Sequence, residues 1–335
     1  MPIFISQSEH ERMARLNRKD IKREYMQQFN KIFEEINPDI LHVHNGYYKP
    51  HYEAAKIAKS NGKRVINTWH GGKIDPVKPS AKKRLQDTFN KTANISDKNF
   101  AVSKIGKSAY SSDSVEIAYG VDLKIFSPEK VCAYESKKIK GELGFNKDDY
   151  VFFFPGRYHE QKNQHTLIEA FKNVADKYNN AKLLLAGQEF KDSSGKKYSS
   201  SLKELARKYG IEDRIVFHGK VDKSKIPSFY NLSDAVIYPS KNEGRGRSLI
   251  EAMAMGKPVL ASNDAGLEDS IKTDEGELGY LFNPENKEQI AKKMIECISG
   301  RKKSADLAHK AKHHAHKKLS IDAYVDKYYR VYNGN

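Results

Sequence analysis

Short apolar runs alternate along the chain with stretches in which apolar residues return every three or four positions. This alternation is typical of βαβ units, which build parallel sheets. Helical spacing predicts amphipathic helices over residues 22–36 and 167–178. The apolar runs predict strands at 40–44, 64–69, 99–102 and 115–118, and again at 150–154, 182–186, 214–217, 235–238 and 258–261. The pattern therefore predicts two Rossmann-like α/β halves.

The 335 residues fit two domains of ordinary size. We place the first domain at 1–126, a linker in the charged stretch 127–148, the second domain at 149–315 and a closing helix at 316–335. Ligands bind beyond the carboxyl ends of open parallel sheets, so a cleft between the halves is the expected site. The only strand expected before residue 40 is 1–6, and no glycine-rich turn follows it. We therefore expect a first domain that is shortened at its N-terminus.

Composition narrows the class of protein. Apolar residues make up 38% of the chain and charged residues 30%, which excludes a wholly disordered chain. No apolar run approaches the roughly 20 residues that cross a bilayer, and the N-terminus lacks the features of a secretion signal. Cys132 and Cys297 lie far apart without metal-ligand spacing, as in proteins of a reducing compartment. These features predict a cytoplasmic location.

The net charge is +16, and two segments carry the excess. Residues 56–107 hold 13 Lys or Arg against three Asp, and residues 301–318 hold seven against one. Such an excess predicts an anionic partner rather than any particular fold. Solvated helix faces are the alternative interpretation, and the position of the segments relative to the active site decides between the two.

Residues 238–258 have the pattern of a strand end, a loop and a helix that together bind an anion. Gly244 and Gly246 loosen the loop, and the helix begins near Gly246 and ends at Gly256. Unpaired amides and the positive dipole end at such a helix start bind phosphate groups. Arg245 and Arg247 are expected to strengthen this anion site.

Two carboxylates flank the same helix start. Glu243 lies on the loop and Glu251 one turn inside the helix, so the pair can bracket a ligand rich in hydroxyl groups, such as a sugar or a ribose. A loop carboxylate next to a helix acid that the dipole stabilises is the alternative interpretation.

A second segment, 154–163, also runs from a strand end to a helix start. It places Arg157 and Lys162 at the carboxyl edge of the same sheet, where two cations can neutralise a diphosphate leaving group. The chain has no Asp-any-Asp pair, so the commonest Mg or Mn motif for sugar nucleotides is absent. We therefore expect neither a metal nor a separate cofactor. For Arg157 and Lys162, ordinary surface charge is the alternative interpretation.

Together these motifs resemble the second domain of family 4 glycosyltransferases, which are retaining enzymes with the GT-B fold. The resemblance rests on the spacing of Glu243 and Glu251, on Gly156-Arg157 with Lys162, and on the segment 279–284. Four upstream segments stand in the family's usual order: 37–44, 67–71, 101–103 and 120–122. The resemblance covers roughly residues 38–335 and is specific because the motifs occur as an ordered set.

The resemblance implies a role for each residue of the site. It places Glu243 on the donor sugar, Glu251 on the nucleotide ribose, and Arg157 and Lys162 on the diphosphate. His70 matches a first-domain histidine that lies near the reacting sugar. His42 and His44 point the same way from one strand, and we interpret them as buried or supporting residues rather than as part of the chemistry. The other predicted donor-binding positions are Gly156, Gly244, Gly246, Arg247, Ser248 and Leu249.

The implied protein is a metal-independent, retaining, hexosyltransferase-type enzyme with two Rossmann-like domains facing across a cleft. Residues 1–126 form the acceptor side, 149–315 bind the nucleotide sugar, and the closing helix returns to the first domain. We expect the donor to be a nucleotide-diphosphate sugar, with a UDP-sugar favoured. From the basic segment 56–107 we expect the acceptor to be a lipid-linked or cell-envelope glycan in polysaccharide or lipopolysaccharide synthesis. Two features depart from the family: the opening strand with its glycine-rich loop is missing or remodelled, and Asn163 replaces a glycine after Lys162.

Two other functions remain open. The shortened first domain fits a catalytically reduced protein that only binds nucleotide sugars, and the +16 charge fits a nucleic-acid or other polyanionic acceptor. Single-strand binding needs aromatic residues among the basic ones, yet residues 78–107 offer only Phe89 and Phe100. A zinc site at His309, His313 and His316 is the less favoured alternative to a solvated basic helix.

The first basic segment also fits a membrane surface. It follows the strand that ends at Trp69, and three apolar residues, Ile74, Val77 and Leu85, lie among its cations. The neighbouring cations are Lys73, Lys78, Lys82, Lys83 and Arg84. Basic residues mixed with apolar ones favour an anionic membrane. We therefore expect peripheral attachment to the inner face of the membrane.

Overall fold

The computed structural model describes residues 18–71, 79–110, 113–189 and 198–334. These residues divide into an N-terminal unit (those before Gly71, with 79–101 and 107–115) and a C-terminal unit (Gly71, 102–106 and 116 onward). The strand expected at 1–6 and the predicted membrane residues at 73–78 lie outside the described residues. The domain boundaries inferred from the sequence stay a prediction.

The N-terminal unit is built around a four-stranded sheet of order β1-β2-β3-β4, in which β1, β2 and β3 run parallel. Its elements are α1 (Arg18–Ile36), β1 (Ile40–His44), α2 (Lys49–Ser60), β2 (Arg64–Trp69), α3 (Pro79–Ile95), β3 (Lys98–Ala101) and the first residue of β4 (Val115–Glu116). The short helix α4 (Lys104–Lys107) has only its last residue in this unit. Ile40 lies opposite Arg64 and Trp69 opposite Ala101, so β1, β2 and β3 end close together.

Two small apolar clusters hold this unit together. Phe29 and Phe33, one turn apart on α1, stack with ring centroids 5.4 Å apart and pack with Val43 of β1. Trp69, Phe89 and three further buried side chains form the second cluster. Helix and sheet therefore pack as the helical spacing of 22–36 predicts, and α1 begins four residues earlier than expected.

The C-terminal unit contains a six-stranded sheet of order β12-β9-β8-β5-β6-β7, in which every pair is parallel. Its strands are β5 (Tyr150–Pro155), β6 (Ala181–Ala186), β7 (Ile215–His218), β8 (Ala235–Tyr238), β9 (Val259–Ser262), the short hairpin β10 (Lys272–Thr273) and β11 (Gly276–Glu277), and β12 (Tyr280–Phe282). Its helices are α5 (Ala133–Glu142), α6 (Gln164–Lys177), α7 (Tyr198–Lys208), α8 (Ile226–Leu232), α9 (Arg247–Ala254), α10 (Glu268–Ile271), α11 (Lys287–Ser299), α12 (Arg301–Lys318) and α13 (Ile321–Tyr332).

Helices cover both faces of this sheet. On β5, Val151 and Phe153 belong to one apolar cluster, while Phe152 and Phe154 belong to the other, and all four are almost fully buried. A strand buried on both faces reads as a continuous apolar run, which is why the sequence reveals β5 so clearly.

The predicted α/β fold is confirmed. The strands predicted at 40–44, 64–69 and 235–238 have the observed bounds, and the other predicted strands differ by one or two residues. Strand β12 was not predicted, because three residues are too short to show a period. Among the described helices, none has the length and apolar character needed to cross a membrane.

Candidate active site

Arg157 lies at the carboxyl edge of the C-terminal sheet. The Gly156 amide donates to the Ala186 carbonyl (2.9 Å), which extends the β5–β6 pairing just past the end of β5. Gln164 donates to the Arg157 carbonyl (2.8 Å), and the Arg157 side chain is exposed. The loop after β5 is therefore fixed by its backbone, and Arg157 is an exposed residue at the edge of the sheet.

Asn163 joins three loops at this edge. Its φ of 57° is left-handed, a conformation that Gly and Asn tolerate best, which explains the Asn where the resembling family has Gly. The buried side chain donates to the carbonyls of Pro239 (3.1 Å) and Pro284 (2.7 Å) and accepts from the Thr166 hydroxyl (2.8 Å). Asparagine thus adds three hydrogen bonds that glycine cannot make.

The loop between β8 and α9 is held against the loop after β5. The Lys241 amide donates to the Gln161 carbonyl (2.8 Å), and the Gln161 side chain donates to the Asn242 carbonyl (3.1 Å). On its other side, the Gly266 amide donates to the Glu243 carbonyl (3.0 Å). A Cβ at Gly266 would lie 1.5 Å from the Gly244 carbonyl oxygen, so this close approach requires glycine.

An ion pair connects the two loops at the predicted site. Lys162 Nζ pairs with Glu243 Oε1, and the two side chains are only 21% and 17% exposed. The cation predicted for the leaving group and the carboxylate predicted for the sugar are therefore in contact. An ammonium has three donors, so Lys162 retains two for phosphate oxygens while it donates one to Glu243.

Helix α9 begins at Arg247, and its N-cap is Gly246, whose φ of 68° is left-handed. A Cβ there would lie 2.5 Å from the Leu267 side chain. The Leu249 amide donates back to the Gly246 carbonyl (3.0 Å), and the Leu249 side chain is fully buried. Leu249 therefore shapes the helix start. In the described part of the chain, the amides of Arg247 and Ser248 have no backbone acceptor, so they are the donors that remain for an anion.

Arg245 and Arg247 lie in opposite environments. The Arg247 guanidinium is exposed and lies 4.6 Å from the centre of the Tyr119 ring. Arg245 is buried, where it pairs with Glu116 and donates to the Val102 carbonyl (3.3 Å). The expectation that Arg245 strengthens the anion site is therefore wrong, because this guanidinium is already neutralised inside the unit.

Glu251 is held by a pair of buried tyrosines. The Tyr230 hydroxyl donates to Glu251 Oε2 (2.9 Å) and lies 3.0 Å from the Ser248 carbonyl oxygen, to which the Tyr238 hydroxyl also donates (2.5 Å). Burial raises the pKa of Glu251, while the Tyr230 hydrogen bond and the Arg247 charge act in the opposite direction. The sequence showed no sign of Tyr230, because its partner lies 21 residues later.

His70 lies in the N-terminal unit, just after β2. His44 Nδ1 and His70 Nε2 share a hydrogen bond of 2.7 Å, and the His70 amide donates to the Asn45 side chain (3.1 Å). The His42 ring stacks on His44 with centroids 4.2 Å apart and hydrogen-bonds to the Thr68 hydroxyl (2.8 Å). Burial, with smaller contributions from His44 and His70, lowers the pKa of His42 to about 3. His44 therefore contacts His70 directly and His42 stacks on His44, while the role of His70 near the reacting sugar stays a prediction.

The histidines of α12 have other partners. His316 donates to the Ala254 carbonyl (3.0 Å), and His314 hydrogen-bonds to Glu275 (3.1 Å). Within the described ranges, no three His, Cys, Asp or Glu side chains are grouped as a metal site would require. His309, His313 and His316 therefore do not form the zinc site considered from the sequence.

Two Rossmann-like units define a protein of the GT-B type, and the C-terminal sheet of this chain carries cations and carboxylates together at its carboxyl edge. Residues 135–314 match the model of the family described as Glycosyl transferases group 1. The chain belongs to this family and is a glycosyltransferase.

Known proteins similar to this chain carry out different transfers. This chain is 23% identical over 309 residues to N-acetyl-alpha-D-glucosaminyl L-malate synthase of Bacillus anthracis, and the matched region covers 90% of this chain and 76% of that enzyme. It is 24% identical over 260 residues to the GDP-mannose-dependent alpha-(1-6)-phosphatidylinositol monomannoside mannosyltransferase of Mycobacterium tuberculosis, covering 74% of this chain and 64% of that enzyme, which is less than two thirds of its length.

A solved structure shows the same fold. Anabaena Alr3699/HepE, in complex with UDP and glucose, superposes with a TM-score of 0.78 at 20% identity, covering 93% of this chain and 81% of that one. The same Anabaena protein has also been solved with UDP-glucose.

Proposed function

We propose that the protein is a family 4 retaining glycosyltransferase that takes a nucleotide-diphosphate sugar, with a UDP-sugar favoured, and acts without a metal. Its acceptor is a lipid-linked or cell-envelope glycan. The Anabaena relative supports the donor class, since its structures contain UDP, glucose and UDP-glucose. The mycobacterial relative supports a lipid acceptor by its name, and because that enzyme is named as GDP-mannose-dependent, we take a GDP-sugar as the main alternative donor.

One observation carries the proposal: Lys162 and Glu243, 81 residues apart in sequence, meet at the carboxyl edge of one sheet beside the start of α9. Arg157 is exposed at the same edge, and Glu251 lies one turn inside the helix. A diphosphate fits the cations and the free amides of Arg247 and Ser248, while the carboxylates accept hydrogen bonds from sugar and ribose hydroxyl groups.

The cations Arg157 and Lys162 stabilise the leaving group of the proposed reaction. The bond between the anomeric carbon and the diphosphate oxygen breaks, the acceptor oxygen bonds to that carbon from the same face, and the acceptor proton leaves with the diphosphate. Negative charge grows on the diphosphate as the bond lengthens, so Arg157 and Lys162 stabilise the transition state more than the bound donor. This is the role that a divalent metal has in other transferases, which is why we propose metal-independent catalysis.

The basic surface of the N-terminal unit supports a membrane-linked acceptor. On α3, Lys83, Arg84 and Lys91 are exposed. Leu85 is partly buried against the Trp69 cluster, so it belongs to the core and not to the membrane surface. Attraction of the cations to anionic lipids, about 1 kcal/mol for each Lys or Arg, therefore carries the attachment. We place the protein on the cytoplasmic face of the membrane.

The second basic segment is partly neutralised. Lys312 pairs with Glu129, and Lys318 pairs with Glu275 at 2.6 Å. His314 also contacts Glu275. Lys59 in the first segment also pairs with Asp97 (2.7 Å), but residues 56–107 still hold more Lys and Arg than residues 301–318. This larger excess favours residues 56–107 as the attachment region.

A screen of nucleotide sugars tests the proposed activity. The purified protein is incubated with UDP-, GDP- and ADP-sugars and a lipid-linked acceptor mixture, and release of the nucleoside diphosphate is measured with the anomeric configuration of the product. We expect one donor to be used, with its configuration retained. Inversion of configuration would contradict the mechanism, and binding of nucleotide sugars without any transfer would favour the catalytically reduced protein.

Vesicle sedimentation tests the attachment. The variant carrying Lys82→Glu, Lys83→Glu and Arg84→Glu should lose binding to anionic vesicles at low salt, since attraction over a Debye length of about 10 Å depends on charge. The control carries Lys203→Glu, Arg207→Glu and Lys208→Glu, three exposed cations of α7 outside the basic segments, and should bind as wild type. Equal binding to neutral vesicles, or tighter salt-sensitive binding to DNA, would contradict membrane attachment.

A further inference from the structure

Glu251 is the carboxylate proposed for the ribose, and its two oxygens have different surroundings. Oε2 accepts the Tyr230 hydroxyl at 2.9 Å. No hydrogen bond to Oε1 occurs among the residues that the structure describes. One oxygen is therefore held by the protein, while the other remains for a ligand.

The hydroxyl of Tyr230 has one hydrogen and three possible acceptors: Glu251 Oε2 at 2.9 Å, the Ser248 carbonyl at 3.0 Å and the Tyr238 hydroxyl. The Tyr238 hydroxyl donates to the Ser248 carbonyl at 2.5 Å, so that carbonyl is satisfied without Tyr230. Both tyrosines are buried, with side chains fixed by packing. The Tyr230 hydrogen is therefore directed to the carboxylate, since a charged acceptor makes the stronger bond.

We propose that Tyr230 is a positioning residue for donor binding: its hydroxyl fixes the orientation of the Glu251 carboxylate, so that Oε1 faces the ribose hydroxyl groups. This inference rests on the proposed function, because it needs Glu251 to contact the ribose. Tyr230 is fully buried and acts only through Glu251.

Electrostatics gives the same residue a second effect. Burial raises the pKa of Glu251, and the groups that face the carboxylate are Tyr230 from α8, Tyr238 from β8 and Arg247 from its own helix. Burial also raises the pKa of Tyr230 well above its usual value, so its hydroxyl remains a donor throughout the physiological range. Without that donor, the pKa of Glu251 rises further, and the ionised form that accepts ribose hydroxyl groups is lost at a higher pH.

The test compares Tyr230→Phe with Tyr238→Phe. Each removes one buried hydroxyl next to the Ser248 carbonyl, but only the first removes the bond to Glu251. Affinity is measured by calorimetry with whichever of UDP, GDP and ADP binds wild type best. We expect Tyr230→Phe to weaken binding roughly 10-fold, the scale of one hydrogen bond to a charged group, and Tyr238→Phe to change it less than about 2-fold. In a plot of nucleotide affinity against pH, the loss of affinity at low pH should begin at a higher pH in Tyr230→Phe than in wild type, and it should be unchanged in Tyr238→Phe.

A double-mutant cycle separates this inference from the proposed function. If Tyr230 acts through Glu251, Tyr230→Phe has no further effect on affinity in a Glu251→Ala background. An additive loss in that background, or equal effects of the two tyrosine variants, would overturn the positioning role and leave the donor site standing. Unchanged nucleotide binding in Glu251→Ala itself would overturn the ribose assignment, and the positioning role with it.

Discussion

The carboxyl edges of the two sheets carry opposite kinds of chemistry. At the edge of the C-terminal sheet, Lys162 and Glu243 form an ion pair beside Arg157. At the edge of the N-terminal sheet, the rings of His44 and His70 share one hydrogen bond, so the two facing nitrogens hold a single proton between them. The edge of the C-terminal sheet therefore carries charged side chains. At the edge of the N-terminal sheet, which ring nitrogen can donate and which can accept depends on where the shared proton lies.

The packing beneath the two edges differs as well. All residues of β5 from Tyr150 to Phe154 are buried, as are those of β2 from Val65 to Trp69, whereas the outer strand β1 has only Val43 buried. The charged loops of the C-terminal unit thus stand on a strand covered on both faces, which holds them in place before a ligand arrives. Preorganised charge of this kind is what stabilises a leaving group most effectively.

The largest expected effect comes from breaking the charged edge. Glu243→Ala or Arg157→Ala should lower turnover by about 100- to 1,000-fold, the scale of losing one preorganised charge partner. The rate is measured at saturating donor, and thermal unfolding checks that the fold is intact. The control is Glu285→Ala, which removes an exposed carboxylate paired with Lys241 in the same unit. Turnover equal to wild type in Glu243→Ala would reject the donor-site assignment.

A smaller effect is expected from Glu251→Ala. Ribose contacts are much the same in the bound donor and in the transition state, so the loss should raise the donor KM roughly 10- to 100-fold and leave kcat within a few-fold of wild type. Initial rates over a range of donor concentrations measure both constants. A fall in kcat at unchanged KM would place Glu251 at the reacting sugar instead.

The histidine edge should respond to pH through its stability. The folded-state pKa of His42, about 3, lies below the ordinary value of 6.5, so between these values the unfolded chain binds a proton that the folded chain does not. Stability is therefore lost as the pH falls below 6.5. His42→Gln should lose roughly 2 kcal/mol less stability than wild type between pH 7 and 4.5 in urea unfolding, while His309→Gln, which changes an exposed residue of α12, should behave as wild type. Equal losses in all three proteins would contradict a neutral His42.

The smallest effect is expected from removing metals. Because Arg157 and Lys162 take the place of a metal in the proposed mechanism, EDTA should leave the initial rate nearly unchanged. The same rate assay with added Mg²⁺ or Mn²⁺ provides the comparison. Strict dependence on either ion would show that the charged edge does not neutralise the leaving group by itself.

The sequence predicted the strands and the loops of the site because their signals are local. Apolar runs and glycines give β5, β8 and the start of α9 directly, and parallel strands then bring Lys162 and Glu243 to one edge. The roles of Arg245 and Tyr230 could not be predicted in this way. Arg245 pairs with Glu116, 129 residues earlier, and this partner is visible only once the chain has folded.

Asn163 combines a feature that the local sequence predicts with contacts that only the folded chain reveals. Its position after Lys162 indicates a turn, and asparagine tolerates the left-handed backbone found there. The carbonyls it bonds belong to Pro239 and Pro284, which β8 and β12 bring to it from 76 and 121 residues away. The conformation could be predicted from the residue type, while the function of joining three loops required the fold.

The central claim is that Arg157 and Lys162 hold the diphosphate of the donor. Calorimetry with UDP and UMP on wild type and on the double variant Arg157→Ala, Lys162→Ala tests it most directly, since the two ligands differ by one phosphate. We expect wild type to prefer UDP by about 10-fold or more, the scale of charge-assisted contacts to one phosphate, and the double variant to bind both ligands nearly equally. A double variant that keeps the full preference for UDP would contradict the account.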